Sequence, residues 1–300
     1  MTYSIVARDA TTGELGVAVQ TRYFAVGAVV PWAEAGVGAV ATQSFAEPGY
    51  GPLGLALMRG GHSAPHALRA LLAGDDDEQL RQVAMVDARG EVAAHTGSRC
   101  VAAAGHVSGE GVSAQANMME RDTVWDAMVG AYGSAGGSLA ERLLAALEAA
   151  ETEGGDIRGR QSAAIIVVSG SREDPWWQRT VDLRVDDHPE PLAEIGRLLG
   201  LHRAYRLMER ANDAAATGDL VSAADAMDRA LPLAPDDDQV AFRRGCSLIS
   251  VGRIDEGRAE LERARLANPR WPVFLRRFAA AGFLPDDPAF LDAIYPLDPA

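Results

Sequence analysis

The stretch MTYSIVARDATTGELGVAVQ, residues 1–20, decides the fold of the first part of the chain. Its two apolar runs, YSIVAR and ELGVAVQ, have the length and composition of buried strands. Between them, Asp9 and Gly13 belong to a short polar segment that favours a tight turn. The stretch therefore predicts a pair of antiparallel strands with a threonine at the start of the first.

Further apolar runs are strand candidates, and helical segments separate them into groups. The predicted strands are GAVVPW (27–32), GVGAVATQ (36–43), the hairpin RQVAMVDARGEVAAHTG (81–97), the pair AGHVSGEGVSAQANMM (104–119), SAAIIVVS (162–169) and RTVDLRVDD (179–187). Helices are predicted at 51–74 as two short segments, at 122–132 and at 139–151. Because the strands cluster instead of alternating singly with helices, a parallel sheet is disfavoured. Residues 1–190 are predicted to be an α+β domain, a four-layer αββα sandwich.

Residues 191–300 are predicted to be helical, and they repeat. Five pairs of matching residues recur 34 residues apart: Ala211 and Gly245, Gly218 and Gly252, Ala223 and Gly257, Ala230 and Ala264, and Pro235 and Pro269. A 34-residue period with small residues where paired helices touch is typical of tetratricopeptide repeats. We therefore predict an all-α, tetratricopeptide-like helical repeat domain. Its residues 206–281 would bind a protein partner or self-associate in a homodimer.

The composition excludes several classes of function. The net charge of −14 disfavours nucleic acids and anionic membranes as partners, and no run approaches the ~20 apolar residues of a membrane helix. All 28 basic residues are arginine, which excludes Schiff-base lysine chemistry and the phosphate-binding lysine of a Walker loop. Cys100 and Cys246 fall in different predicted domains, so we expect no disulfide and a cytoplasmic location.

Three motifs that imitate cofactor or metal sites have simpler interpretations. GVGAVA (36–41) and GEGVSA (109–114) resemble glycine loops that bind dinucleotides, but both lie within predicted strands and no helix follows them. His62 and His66 have the spacing of metal ligands, but Pro65 places His62 before the helix and no third ligand is evident. We therefore expect neither a cofactor nor a metal.

Polar side chains stand where several predicted strands begin or end. Arginine forks bind carboxylates in pairs, so the loop at 154–161 could hold an acidic group of a substrate. Its Asp156 and arginines could equally lock the loop to its neighbours. Asn117 could donate a hydrogen bond to an oxyanion. The residues predicted to bind substrate are Arg22, Gln43, Asp156, Arg160 and Gln161.

Thr2 allows both a chemical and a simpler interpretation. Removal of Met1, the usual fate of a methionine before a small residue, would leave the Thr2 hydroxyl beside its own α-amine. The pKa of an α-amine is about 8, so the amine can accept the hydroxyl proton near neutral pH and return it to a leaving group. Alternation places Thr2 on the same strand face as Ser4 and Val6. The pattern predicts Thr2 as a nucleophile, whereas a chance Met-Thr start is the alternative.

Six blocks of sequence together resemble the domain-of-unknown-function family numbered 1028, over residues 2–205. They are YSIVARD, GELGVAVQTRYFAVGAVVPWAEAGVGAVATQ, YGPLGL, QVAMVDARGEVAAHTG, GHVSGEGVSAQANMM and GGDIRGRQSAAIIVV. Members are grouped with the N-terminal-nucleophile (Ntn) hydrolases, so the resemblance implies an αββα sandwich that cleaves amide bonds. By this resemblance Thr2 takes the nucleophile's place. The helical tail departs from longer relatives with a suspected peptidoglycan-binding segment, so no cell-wall role is expected.

Two hypotheses of function follow. In the first, the protein is an amide hydrolase that acts on a small-molecule amide or acyl-amino acid, with Thr2 as nucleophile, its α-amine as base and Asn117 at the oxyanion. In the second, an Ntn-like domain binds a small ligand without catalysis, and the repeat tail recruits a protein. The presence or absence of turnover distinguishes the two.

Overall fold

The computed structural model describes residues 2–282 and 286–295. The chain divides into two compact units, Met1–Leu198 and Leu199–Ala300. The division lies inside a long helix, Pro191–Ala216, which begins where the second predicted domain begins. The first unit is mixed α/β, and the described part of the second is helical.

The first unit contains two antiparallel sheets. Their strands are β1 (Thr2–Arg8), β2 (Leu15–Thr21), β3 (Pro31–Glu34), β4 (Gly38–Ser44), β5 (Arg81–Asp87), β6 (Val92–Thr96), β7 (Gly105–Gly109), β8 (Val112–Asn117), β9 (Ser162–Val168) and β10 (Val181–Val185). The larger sheet has the order β10-β9-β2-β1-β8-β7, and the smaller has the order β3-β4-β5-β6. Strand β1 therefore lies inside the larger sheet, between β2 and β8.

The described part of the chain also contains helices in both units. They are α1 (Tyr50–Arg59), α2 (Ala64–Leu72), α3 (Val124–Ser134), α4 (Leu139–Thr152), α5 (Pro191–Ala216), α6 (Leu220–Ala230), α7 (Asp238–Ser250), α8 (Ile254–Ala267), α9 (Trp271–Ala280) and α10 (Pro288–Ile294). Helices α1 and α2 pack on the smaller sheet, and α3 and α4 pack on the larger one. Among the described residues no helix combines the length and apolarity needed to cross a membrane.

The two sheets pack face to face through small and branched apolar side chains. Alternate residues of each strand point inward, which is why sequence alternation identifies this face. The inward residues in contact are Val6, Val17, Val19, Ala39, Ala41, Ala84 and Val86. All of them are fully buried. This core occupies only part of the interface between the sheets, and the remainder is polar.

The strand predicted for GAVVPW is confirmed only at Pro31 and Trp32 and is wrong for residues 27–30, whereas the other predicted strands and helices of the first unit are confirmed. Val26–Ala28 form a 3-10 turn, and β3 begins only at Pro31. Ala25, at φ 53°, turns the chain into this segment, and the N–H of Val30 donates to the carbonyl of Val26. Val26 and Val30 are therefore buried without pairing as a strand.

The described helices of the second unit follow a 34-residue spacing. Gly218 ends the turn before α6 at φ 84°, and Gly252 ends the equivalent turn before α8 at φ 82°. A positive φ costs a residue with a side chain about 1–2 kcal/mol, which explains glycine at both turns. Helices α7 and α8 approach closely at Gly245 and Gly257, where a Cβ on Gly245 would lie 2.9 Å from the Gly257 carbonyl oxygen.

Helical glycines in the first unit fall into two kinds. A Cβ on Gly51 in α1 would lie 2.3 Å from the indole of Trp32 on β3, so this glycine sets how closely α1 approaches the smaller sheet. Gly130 in α3 is exposed, and a Cβ there would meet nothing within 4 Å.

We expect Gly51→Ala and Gly130→Ala to change stability in opposite directions. Overpacking against Trp32 should lower the free energy of unfolding by about 1–3 kcal/mol. The open site should gain about 0.5–1 kcal/mol from the higher helix propensity of alanine. Urea unfolding of both variants followed by tryptophan fluorescence measures the two effects. A stabilised Gly51→Ala variant would contradict the close approach of α1.

Candidate functional site

The polar strand ends meet because β1 lies between two antiparallel neighbours. Thr2 begins β1, and it pairs in register with Thr21, which ends β2. On the other side Thr2 pairs with Asn117, which ends β8. In an antiparallel sheet, the start of one strand lies beside the ends of its neighbours. These three residues therefore lie side by side at the same end of the strands. The sequence placed Thr2 and Asn117 at strand ends, and the sheet order makes them neighbours and adds Thr21.

Thr2 lies at a cavity of about 270 Å³. The described residues that line this cavity are Thr2, Thr21, Tyr23, Val26, Val29, Val30, Gln43, Ser44, Ala46 and Arg158. Thr2 is only 6% exposed, and its Oγ1 donates a hydrogen bond to Oγ1 of Thr21 at 3.1 Å. The Thr2 hydroxyl is therefore held in place inside a pocket. Met1, whose removal the sequence analysis predicts, lies outside the described residues.

Side-chain amides from both sheets hold the carbonyl of Thr2. Nε2 of Gln43, on the smaller sheet, donates to the Thr2 carbonyl at 3.0 Å. Nδ2 of Asn117, on the larger sheet, approaches the same oxygen at 3.5 Å. Both amides also donate to Oε1 of Gln82, at 2.7 and 2.8 Å. One glutamine oxygen thus connects the two residues that contact Thr2.

This amide network continues between the sheets. The Ser4 hydroxyl donates to Oε1 of Gln43 at 2.7 Å, and Nε2 of Gln115 donates to Ser4 at 3.2 Å. Nε2 of Gln82 donates to the carbonyl of Ala116 at 2.8 Å. Sequence reasoning named Gln43 but not Gln82 or Gln115, since each looked like one polar residue in an apolar strand. Alternation from Thr2 to Ser4 was the signal for a polar inner face.

The backbone around the cavity is strained. Among the described residues, the only non-glycine residues with positive φ are Ala25 at 53°, Ser44 at 71° and Met118 at 58°. Ser44 ends β4, Met118 directly follows β8, and Ala25 precedes the turn at Val26–Ala28. Such conformations cost about 1–3 kcal/mol each. The Ser44 hydroxyl is also buried with no hydrogen-bond partner among the described residues. Strain and unsatisfied groups of this kind tend to cluster at functional sites.

The loop at 154–161 is fixed by a buried carboxylate. Asp156 is 4% exposed and accepts hydrogen bonds from the backbone N–H of Arg22 at 3.0 Å and of Arg158 at 2.9 Å. Nη2 of Arg158 also reaches Asp156, at 3.3 Å. Asp156 therefore orders the loop and places Arg158 at the cavity. The sequence predicted that Arg160 binds substrate, whereas the structure places Arg158 in the cavity lining. The two arginines are two residues apart in one loop, so only the folded position of the loop distinguishes them.

The remaining predicted site residues, Arg22, Arg160 and Gln161, are not among the described residues that line the cavity. Nη1 of Arg22 donates to Oε1 of Gln161, and Nε2 of Gln161 donates to Asp187 at 3.0 Å. Arg160 pairs with Glu190 and, at 3.7 Å, with Glu151. These contacts tie the loop to neighbouring segments of the first unit.

Comparisons with known proteins bear on the first unit. The model of a family described as "Family of unknown function (DUF1028)" matches residues 2–195. The crystal structure of protein SPO2555 from Silicibacter pomeroyi, which carries the same family model, is similar with a TM-score of 0.60 and 32% sequence identity. The similarity covers 66% of this chain and 87% of that chain. No curated protein matches the chain.

Two buried glutamines should respond oppositely to the same substitution. Gln20 of β2 is fully buried on the helix-covered face, and neither polar atom of its side chain has a partner among the described residues. Gln20→Met should raise the free energy of unfolding by about 1–3 kcal/mol, because it removes an unpaired buried amide. Gln82→Met should lower it by about 3 kcal/mol, because it removes the acceptor that the amides of Gln43 and Asn117 share and the donor to the Ala116 carbonyl. Urea unfolding measures both, and a shared sign would contradict the network.

We expect the pKa of His106 to lie below 6.5, because partial desolvation of the ring lowers it and the nearby charge of His95 lowers it further. The unfolded chain then binds the proton more tightly than the folded chain. The stability contributed by neutral His106 is present above pH 6.5 and is lost as the pH falls toward the folded-state pKa. An NMR titration of the imidazole measures this pKa, and His106→Gln should flatten stability against pH in that range. A midpoint above 6.5 would contradict the expectation.

Proposed function

The chain belongs to the family of unknown function DUF1028, and we propose that its first unit is an Ntn-type amide hydrolase with Thr2 as the nucleophile. The observation that carries the proposal is that Thr2, the first residue of β1, lines a cavity of about 270 Å³. Two facing sheets with helices outside each also agree with the αββα architecture that this class of enzyme uses.

The proposed reaction uses the α-amine that removal of Met1 would expose on Thr2. The amine takes the proton from Oγ1, and Oγ1 forms a bond to the amide carbonyl carbon. When the C–N bond breaks, the amine returns the proton to the leaving nitrogen and an ester remains on Thr2. Water then hydrolyses the ester, with the amine again serving as base. When the Thr2 hydroxyl donates to the α-amine of Thr2, the Thr21 hydroxyl can donate to Oγ1 of Thr2 in turn.

The other residues act in this proposal through position and charge. Gln43 and Asn117 are positioning residues, because their amides hold the Thr2 carbonyl and the shared acceptor on Gln82. Arg158 takes the substrate-binding role that the sequence suggested for Arg160, because Arg158 is the cation among the described residues of the cavity lining. The oxyanion role suggested for Asn117 needs a donor that faces the cavity, whereas its amide donates to Gln82 and Asn117 is not among the described lining residues.

A second candidate function rests on the helical unit. Its described residues line two cavities of about 410 and 550 Å³, and Arg243 of α7 borders both. Helix pairs at a 34-residue spacing with grooves of this size are what a tetratricopeptide-like repeat offers to a peptide. In this candidate the first unit binds a ligand without turnover while the repeats recruit a protein or a second copy.

Thr2→Ala should lower amide hydrolysis at least about 10³-fold, because no nucleophile remains, while Thr2→Ser should retain measurable turnover. The assay is a panel of small amides and N-acyl amino acids with the full chain. Exposed Thr11 provides the matched control, and Thr11→Ala should leave the rate unchanged. The intact mass of active protein should correspond to loss of Met1. Retained methionine on active protein, or full activity in Thr2→Ala, would refute the nucleophile. Ligand binding without any turnover would favour the second candidate.

A further inference from the structure

The cavity at Thr2 has a rigid apolar part. Val26, Val29 and Val30 line it, and hydrogen bonds fix the segment that carries them. The N–H of Val26 donates to Oγ of Ser162 at 3.1 Å, and the indole Nε1 of Trp32 donates to the carbonyl of Val29 at 2.9 Å. A preformed pocket lined by branched aliphatic side chains suits a small apolar group, because no wall has to be ordered on binding.

The only charged side chain among the described residues of the cavity lining is a cation. Arg158 contributes a guanidinium, and none of the described lining residues is an aspartate or glutamate. The chain as a whole has a net charge of −14, so an anion is disfavoured over most of the surface. Asp156 anchors Arg158 at 3.3 Å, and it is itself shielded within the loop. A guanidinium fixed from behind and presented to a cavity is suited to a carboxylate.

The volume of the cavity limits the ligand. A water molecule in the liquid occupies about 30 Å³, so 270 Å³ corresponds to about nine waters and a ligand of about ten non-hydrogen atoms. A compound of that size with an apolar branch, a carboxylate and an amide is a short N-acyl derivative of an aliphatic amino acid. N-acetyl-L-valine is a representative probe.

We propose that the substrates are short N-acyl aliphatic amino acids, with the side chain against Val26, Val29 and Val30 and the free carboxylate at Arg158. This inference rests on the proposed hydrolase function, and it adds which half of the substrate the cavity recognises. The acyl carbon bonds to Oγ1 of Thr2, the C–N bond breaks, and the amino acid leaves with the proton on its nitrogen. Water then releases the acyl group, so one water is consumed and the products are a carboxylic acid and a free amino acid.

The test separates recognition from turnover by measuring binding to the full-length Thr2→Ala variant. Calorimetric titration with N-acetyl-L-valine and with the neutral N-acetyl-L-valinamide compares two ligands that differ only in their terminal carboxylate or amide group. We expect the acid to bind at least about tenfold more tightly than the amide, because a charge-assisted hydrogen bond to arginine is lost in the amide. N-acetyl-L-aspartate should bind more weakly than N-acetyl-L-valine, because a second carboxylate would face the valines.

Arginine variants made in the Thr2→Ala background locate the contact. Arg158→Gln should remove the preference for the acid, and Arg158→Lys should retain part of it because the charge remains. Arg179→Gln is the control, since it removes the same charge from an exposed ion pair with Asp182. That variant should keep the preference. The comparison of the two ligands needs no variant at residue 158, so a misfolded Arg158→Gln protein does not affect it.

The outcomes distinguish this inference from the proposed function. Equal binding of acid and amide, absence of binding by both, or an unchanged preference in folded Arg158→Gln would overturn the carboxylate assignment. Preferential binding of the acid without turnover of N-acetyl-L-valine by the wild-type chain would support the recognition and refute the hydrolase. Turnover of neutral amides alone would support the hydrolase and overturn the inference.

Discussion

The carbonyl oxygen of Thr2 lies between two sheets, and an amide from each sheet reaches it. Gln43 comes from the smaller sheet and Asn117 from the larger, and both donate to the same oxygen of Gln82. Burying such groups costs free energy unless each finds a partner, so their bonds resist any sliding of one sheet over the other. The position of the first residue of β1 depends on this network. The cavity depends on it in turn, since both Thr2 and Gln43 line it.

The three non-glycine residues with positive φ in the described part of the chain are held in place by the strands and loops around them. Ser44 and Met118 adopt a left-handed conformation where the chain leaves β4 and β8, and Ala25 does so at the start of the turn at Val26–Ala28. Isolated segments would relax, but here strand pairing on one side and loop contacts on the other fix the backbone. Asp156 contributes by binding two backbone N–H groups from different segments. The result is a preformed cavity, which lowers the ordering cost of binding a small ligand.

The two units differ in their similarity to known proteins, because the family match covers only the first. The family match spans residues 2–195 and therefore lies within the two-sheet unit. The helical unit stands on its own packing, in which close contact at Gly245 and Gly257 brings α7 and α8 together. An enzymatic role for one unit and a binding role for the other are therefore compatible, because each has its own core and its own cavities.

The sequence by itself determined the strands, the helices and the change of character near residue 190, because periodicity and turn residues are local properties of the chain. It also identified Thr2, Gln43 and Asn117 as polar residues at strand ends. It missed the turn at Val26–Ala28, which a left-handed residue imposes on an apolar run. Only the tertiary structure decided that Gln82 joins Gln43 to Asn117, and that Arg158 borders the cavity while Arg160 pairs with Glu190. Those contacts depend on which strands become neighbours and on how the two sheets face each other. Because the contacting residues are far apart in sequence, no local pattern predicts their proximity.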